Sequence, residues 1–179
     1  MALLKIARMG TPVLLKPALP VTDFTDPALH RLIEDMAETL ADSGGVGLAA
    51  PQVHASVRLL VYQVPAERMG PDQGAVPFSV LINPTLDPLG PDTAAEWEGC
   101  LSLPGLTGRV PRARSIHYRG FNERGEPVEG EAHGFHARVL QHETDHLDGI
   151  LYPRRLADPG DFGFVEEIRK ALAGRVPSA

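Results

Sequence analysis

Apolar residues recur at intervals of three and four between residues 27 and 41: Leu29, Leu32, Ile33, Met36, Ala37 and Leu40. They form one stripe, which predicts an amphipathic helix. Asp26 is placed to cap it and Pro27 suits its first position. In SGGVGLAAPQ, Gly44 or Gly45 can end the helix in a left-handed conformation. A different pattern follows. VRLLVYQV (57–64) reads as a buried strand, and FSVLINP (78–84) as a second. PAERMGPDQGAVP (65–77) between them is polar and turn-rich, and LDPLGPD (86–92) predicts another turn. SIHYRGF and PVEGEAHGF flank NERG, a hairpin connection.

Helical spacing returns over 135–147. Phe135, Val139, His142 and His146 share one stripe, and Leu140 and Leu147 flank it. The helix is therefore expected to be buried on more than one side, with its histidines facing the interior. Gly149 is placed to stop it. A last amphipathic helix, docked on the surface, is expected within 164–172. These elements predict an α+β fold: one domain over 1–179, with mainly antiparallel strands packed around a central helix, the one that carries His142 and His146.

A length of 179 residues suits one domain with a real core, and 17 prolines and 18 glycines imply many turns. The net charge of −6 argues against a DNA partner, because phosphates need a basic surface. No apolar run is long enough for a membrane span, and the N-terminus lacks a signal-peptide cleavage pattern. Cys100 is the one cysteine, so an internal disulfide is excluded and a cytoplasmic setting is expected.

That setting bears on QHETDHLDG, which contains the pattern H-E-x-x-H. Residues four apart on a helix are neighbours, about 5–6 Å between Cβ atoms, so His142 and His146 can converge on one ion. Glu143 can then reach the ion's open position and take a proton from water there. Two satisfied histidines and a solvated glutamate are the bland alternative. A buried glutamate beside buried histidines needs a partner, however, and a metal supplies one.

A catalytic site of this kind takes three protein ligands. A third histidine six residues past His146 would fit a metzincin protease, but Tyr152 stands there. His133 and His136 lie at the helix start, where surface or capping roles are expected. Glu166, twenty residues beyond His146, has the spacing of thermolysin-like proteases but falls on the amphipathic final segment. Cys100, in EWEGCLSLPG, would as a thiolate be a strong ligand for zinc or iron(II). Spacing leaves Glu166 and Cys100 both open.

GVGLAAPQ (45–52), EGCLS (98–102) and QHETDHLDG (141–149) together resemble the three signature motifs of peptide deformylases, in that family's order. The resemblance covers nearly the whole chain. It implies hydrolysis of the N-formyl group from the initiator methionine of formyl-methionyl nascent polypeptides, at or near the ribosome surface. It also implies that Cys100, His142 and His146 hold Fe(2+), with Zn, Ni or Co as substitutes, and that Glu143 is the base. Gln52 and the backbone N–H of Leu101 are the implied oxyanion donors. An extended peptide is expected to pair with Val46 and Gly47, and Val46, Phe135, Val139 and the ring of His142 to line its methionine pocket. Trp97 and Arg138 are expected to tune side-chain preference there.

Overall fold

The structure, a computed structural model, describes residues 2–70 and 74–174. Part of the turn-rich stretch, residues 71–73, lies outside the described residues. The N-terminal segment crosses two later motifs: Ala7 N–H donates to Gln52 O (2.7 Å) and Met9 N–H to Ser102 O (2.9 Å). Helix α1 (Pro27–Ser43) then follows the expected stripe. Asp26 accepts from Ala28 N–H, and Gly44 closes the helix at φ 64°. Its apolar face, Leu29, Ile33, Met36 and Leu40, is buried against the strands that come next.

Five strands form an antiparallel sheet in the order β1-β2-β3-β6-β7. They are β1 (Gly47–Ala49), β2 (Leu59–Val64), β3 (Val76–Pro88), β6 (Ser115–Phe121) and β7 (Pro127–His133). β3 is longer than the sequence pattern predicts. Leu86, Asp87 and Pro88, expected in a turn, pair with Tyr118, His117 and Ile116. A register shift between Ile82 and Thr85, with Asn83 at φ 51°, carries the ladder past Pro84. The β6–β7 hairpin turns where expected, with Asn122 Oδ1 accepting from Arg124 and Glu126 N–H (both 2.9 Å).

A second sheet, β4-β5-β8, had no counterpart in the hydrophobic pattern. Its strands are β4 (Thr93–Glu98), β5 (Leu106–Ala113) and β8 (Phe162–Phe164). The inward positions of β5 are Gly108, Val110 and Arg112, so its burial alternates while its hydrophobicity does not. Gly108 is required there, because a Cβ would meet Leu156 and Tyr152 side-chain atoms at 2.8 and 2.9 Å.

Helix α2 (Gly134–Leu147) touches strands of both sheets. Ala137, Leu140 and Leu147 are fully buried on it, in a core shared with Leu60, Leu81 and Ile116. His136 was expected at the surface or in a cap. It is instead buried and stacked on Tyr62, ring centroids 5.5 Å apart, because the sheet covers that side of the helix. His133 is exposed, with Nδ1 2.9 Å from Ser115 Oγ. Helix α3 (Val165–Ala173) buries no residue and lies on the outside.

The C-terminus of α2 is held from two sides. Leu147 O accepts from Ala18 N–H (2.8 Å) and from Arg58 Nη1 (3.3 Å). Gly149 then turns the chain at φ 72°, where a Cβ would meet Lys16 N at 2.7 Å. Backbone crowds it, so no rotamer change can relieve the contact. Gly149→Ala should therefore lower unfolding free energy by about 1–3 kcal/mol, from the left-handed strain plus the displaced segment. The urea midpoint measures it. An unchanged midpoint would mean that the 15–16 segment moves aside freely.

Candidate active site

Helical spacing on α2 sets His142 and His146 one turn apart, with ring centroids 5.0 Å from each other. Cys100 comes from a different element, the turn that follows β4. There Leu103 N–H donates to Cys100 O (3.0 Å), folding the chain back so that the thiol faces the helix. Cys100 Sγ lies 3.3 Å from His146 Nε2. One ligand atom from each of Cys100, His142 and His146 falls within 4.8 Å of the others.

The ring of His142 is fixed from behind. Its Nδ1 donates to Glu98 Oε2 (2.8 Å), which leaves Nε2 as the free nitrogen. Glu98 also accepts from Arg112 Nε (2.9 Å) and Nη2 (3.0 Å), and from Arg138 Nη1 (2.6 Å). Burial alone would raise this carboxyl. Hydrogen bonds from His142 and Arg112 outweigh burial and hold it at about 2. Arg112 continues to Asp145 Oδ2, and Asp145 is gripped from outside by Arg155 through bonds of 2.7 and 3.2 Å.

Glu143 is buried on the cavity wall, and its Oε2 has no hydrogen-bond partner among the described residues. Burial is the main cause that pushes its carboxyl up to about 7, with His142 pulling the other way. It packs directly on Gly47, where any Cβ would overlap the carboxylate. Gln52 is equally buried. Its Oε1 accepts from Ala49 N–H (2.8 Å), so its Nε2 points toward Ser102 Oγ (3.3 Å) and Cys100 Sγ (3.5 Å).

These groups open onto a cavity of about 470 Å³. Val46, Gly47, Gln52, Cys100, Leu101, Phe135, Val139, His142 and Glu143 line it, while His146 sits behind the wall. Trp97 reaches the wall as expected. Arg138 does too, but its guanidinium is committed to Glu98, Val110 O (2.9 Å) and Ala94 O (2.7 Å), so it clamps strands together. Tyr152, where a metzincin would have a histidine, is buried with its ring stacked on His142. Glu166 is exposed on α3 and stands outside the donor cluster, as do His133 and His136.

The residues fit a metal ion. A thiolate and two imidazoles are a borderline-soft donor set suited to zinc or iron(II). An unpartnered carboxylate oxygen beside them is a position for a water molecule. The buried Glu98–Arg112–Asp145 chain, closed from the surface by Arg155, escaped the sequence reading. Its only signals were Glu98 two residues before Cys100, and Asp145 inside the H-E-x-x-H helix.

Fold and site together define a metal-dependent hydrolase of α+β architecture. The polypeptide deformylase family model matches residues 3–161. A peptide deformylase of Bordetella pertussis is 49% identical over 161 residues, covering 90% of this chain and 92% of that protein. One from Nitrosomonas europaea is 45% identical, covering 91% and 93%. The crystal structure of the Thermotoga maritima peptide deformylase superposes with a TM-score of 0.75 at 42% identity, covering 87% of this chain and 99% of that one. A Met-Ala-Ser-bound class I type b peptide deformylase from Acinetobacter baumannii gives 0.79 at 36% identity, covering 86% and 98%. The chain belongs to the polypeptide deformylase family.

Glu98→Gln keeps the shape and removes the charge behind His142. Metal affinity should fall about 10- to 100-fold, the usual effect of losing such a partner. Competition against a chromogenic chelator measures it, with circular dichroism to confirm the fold. Undiminished affinity in folded protein would show that Glu98 serves packing alone.

Proposed function

We propose that Cys100, His142 and His146 hold the catalytic metal ion of this deformylase and that Glu143 carries the proton. The observation behind the assignment is the convergence of three donors beside a buried carboxylate oxygen without a partner. The reaction is that of the family: hydrolysis of the N-formyl group from the N-terminal methionine of newly made polypeptides, releasing formate.

When bound, the ion acts as a Lewis acid on the formyl oxygen and lowers the pKa of water toward about 7. Glu143 accepts the proton of the attacking water and delivers it to the leaving α-amine. Gln52 is oriented for the oxyanion, because the Ala49 N–H bond to its Oε1 fixes which end of the amide faces the cavity. The backbone N–H of Leu101, beside Cys100, is the second donor. Iron(II) is the proposed native ion, with zinc, nickel or cobalt able to replace it at the same thiolate and imidazoles.

The peptide joins the open edge of β1 as an added strand. Val46 O already accepts from Gln63 N–H (2.9 Å), so alternation along the ladder turns the N–H and C=O of Gly47 outward. Gly47 is thus the pairing residue, and Val46 serves with its side chain. The methionine side chain enters between Val46, Phe135, Val139 and the ring of His142, all on the cavity wall. The Met-Ala-Ser bound to the A. baumannii relative supports a peptide with N-terminal methionine as ligand. Residues 1–179 act as one catalytic domain in the cytoplasm, meeting formyl-methionyl chains near the ribosome surface. Among the described residues no helix is long and apolar enough to cross a membrane.

Cys100→Ala should abolish stoichiometric metal binding, and Glu166→Gln should leave both metal and activity nearly unchanged. Metal analysis of the two variants decides, and the reverse pattern would make this a protease-type site. Gln52→Leu, similar in size but no donor, should lower kcat for formyl-Met-Ala-Ser by about 10²- to 10³-fold with the metal retained. Steady-state formate release reads it. A change in KM with kcat intact would make Gln52 a binding residue only.

A further inference from the structure

Six charged or ionisable side chains line the catalytic cavity: Arg68, Glu98, Cys100, Arg138, His142 and Glu143. Five already have tasks. Arg68 does not. It ends a short turn (Ala66–Arg68) directly after β2, and Met69 beside it is packed against the core. The backbone position is therefore anchored while the side chain is exposed. Its guanidinium lies over the Phe135 ring, 4.1 Å from the centroid. Arg58, Arg112, Arg138 and Arg155 each meet a carboxylate, whereas no ion pair of Arg68 is found among the described residues. A guanidinium stacked by its face keeps its N–H edge available for bidentate recognition.

We propose that Arg68 is a specificity residue that selects substrates carrying a carboxylate downstream of the formyl-methionine. The inference rests on the deformylase reading and on strand addition at β1. Side chains of an added strand alternate, so the third residue returns to the face occupied by methionine. Arg68 stands on that face, over the methionine-pocket residue Phe135. An acidic third side chain can reach it, and so can the terminal carboxylate of a short peptide.

The test compares C-terminally amidated formyl-Met-Ala-Glu-Ser with formyl-Met-Ala-Gln-Ser, and free-acid with amidated formyl-Met-Ala-Ser, on metal-replete protein. Wild type should favour Glu over Gln by about three- to tenfold in kcat/KM at low ionic strength, mainly through KM. The ratio should shrink in high salt, approach one in Arg68→Gln and persist in part in Arg68→Lys. A preference limited to the free acid would support the proposal with the chain end as the carboxylate source. Equal wild-type rates with Glu and Gln and with acid and amide would overturn it, as would a preference surviving in Arg68→Gln. So would an equal loss on every peptide, which would make Arg68 merely a wall. Formate released without discrimination sinks this inference alone; no formate from any peptide sinks the deformylase reading with it.

Discussion

A single buried carboxylate, that of Glu98, is the constraint on which the site depends. An unpaired charge at that depth would be prohibitive, and a half-satisfied one strongly destabilising. Glu98 escapes this by accepting from Arg112 on β5 and from Arg138 and His142 on α2. The second sheet and the central helix are thereby locked in one relative position. The same lock sets the ring orientation of a candidate metal ligand. Cys100 lies two residues further along the chain, so the thiol's approach to the helix follows from it.

Helix α2 carries polar groups on several sides at once. His142 and His146 turn to Cys100, Glu143 to Gly47, and Asp145 to Arg112 and Arg155. The two histidines are not equivalent. Nδ1 of His142 has an anionic acceptor, while Nδ1 of His146 has none among the described residues. The protein's own negative charge therefore backs the cluster through His142. His146 contributes a neutral imidazole whose position comes from packing, since it is 1% exposed.

What could be read from the sequence follows from how each element is stabilised. α1 and α2 bury continuous apolar stripes, and their caps at Asp26, Gly44 and Gly149 are local. Such signals survive in one dimension. β4 and β5 were missed because their inward positions include Glu98, Gly108 and Arg112, which in sequence look like solvent residues. The extension of β3 past Pro84 depends on a bulge that no local pattern announces. At the site, helical periodicity was enough to pair the histidines. The third donor was not legible from spacing, because Cys100 arrives from the turn after β4, far from the helix in sequence. The arginine and carboxylate chain behind it was hidden for the same reason as the strands: buried ion pairs and surface charges are spelled alike.

Gly47 has a wider consequence. It is at once the open-edge residue of β1 and the floor on which the Glu143 carboxylate rests. On the strand-addition reading, the pairing that aligns a peptide and the position of the proton carrier are measured from one α-carbon. A slip of one residue would turn the methionine side chain to the opposite face and carry the reacting carbon about 3.3 Å along the strand. On that reading the enzyme needs no separate device to count residues from the chain end. An internal amide would come into register only by withdrawing the side chain that anchors the peptide, and the edge would work as a ruler whose zero is this glycine.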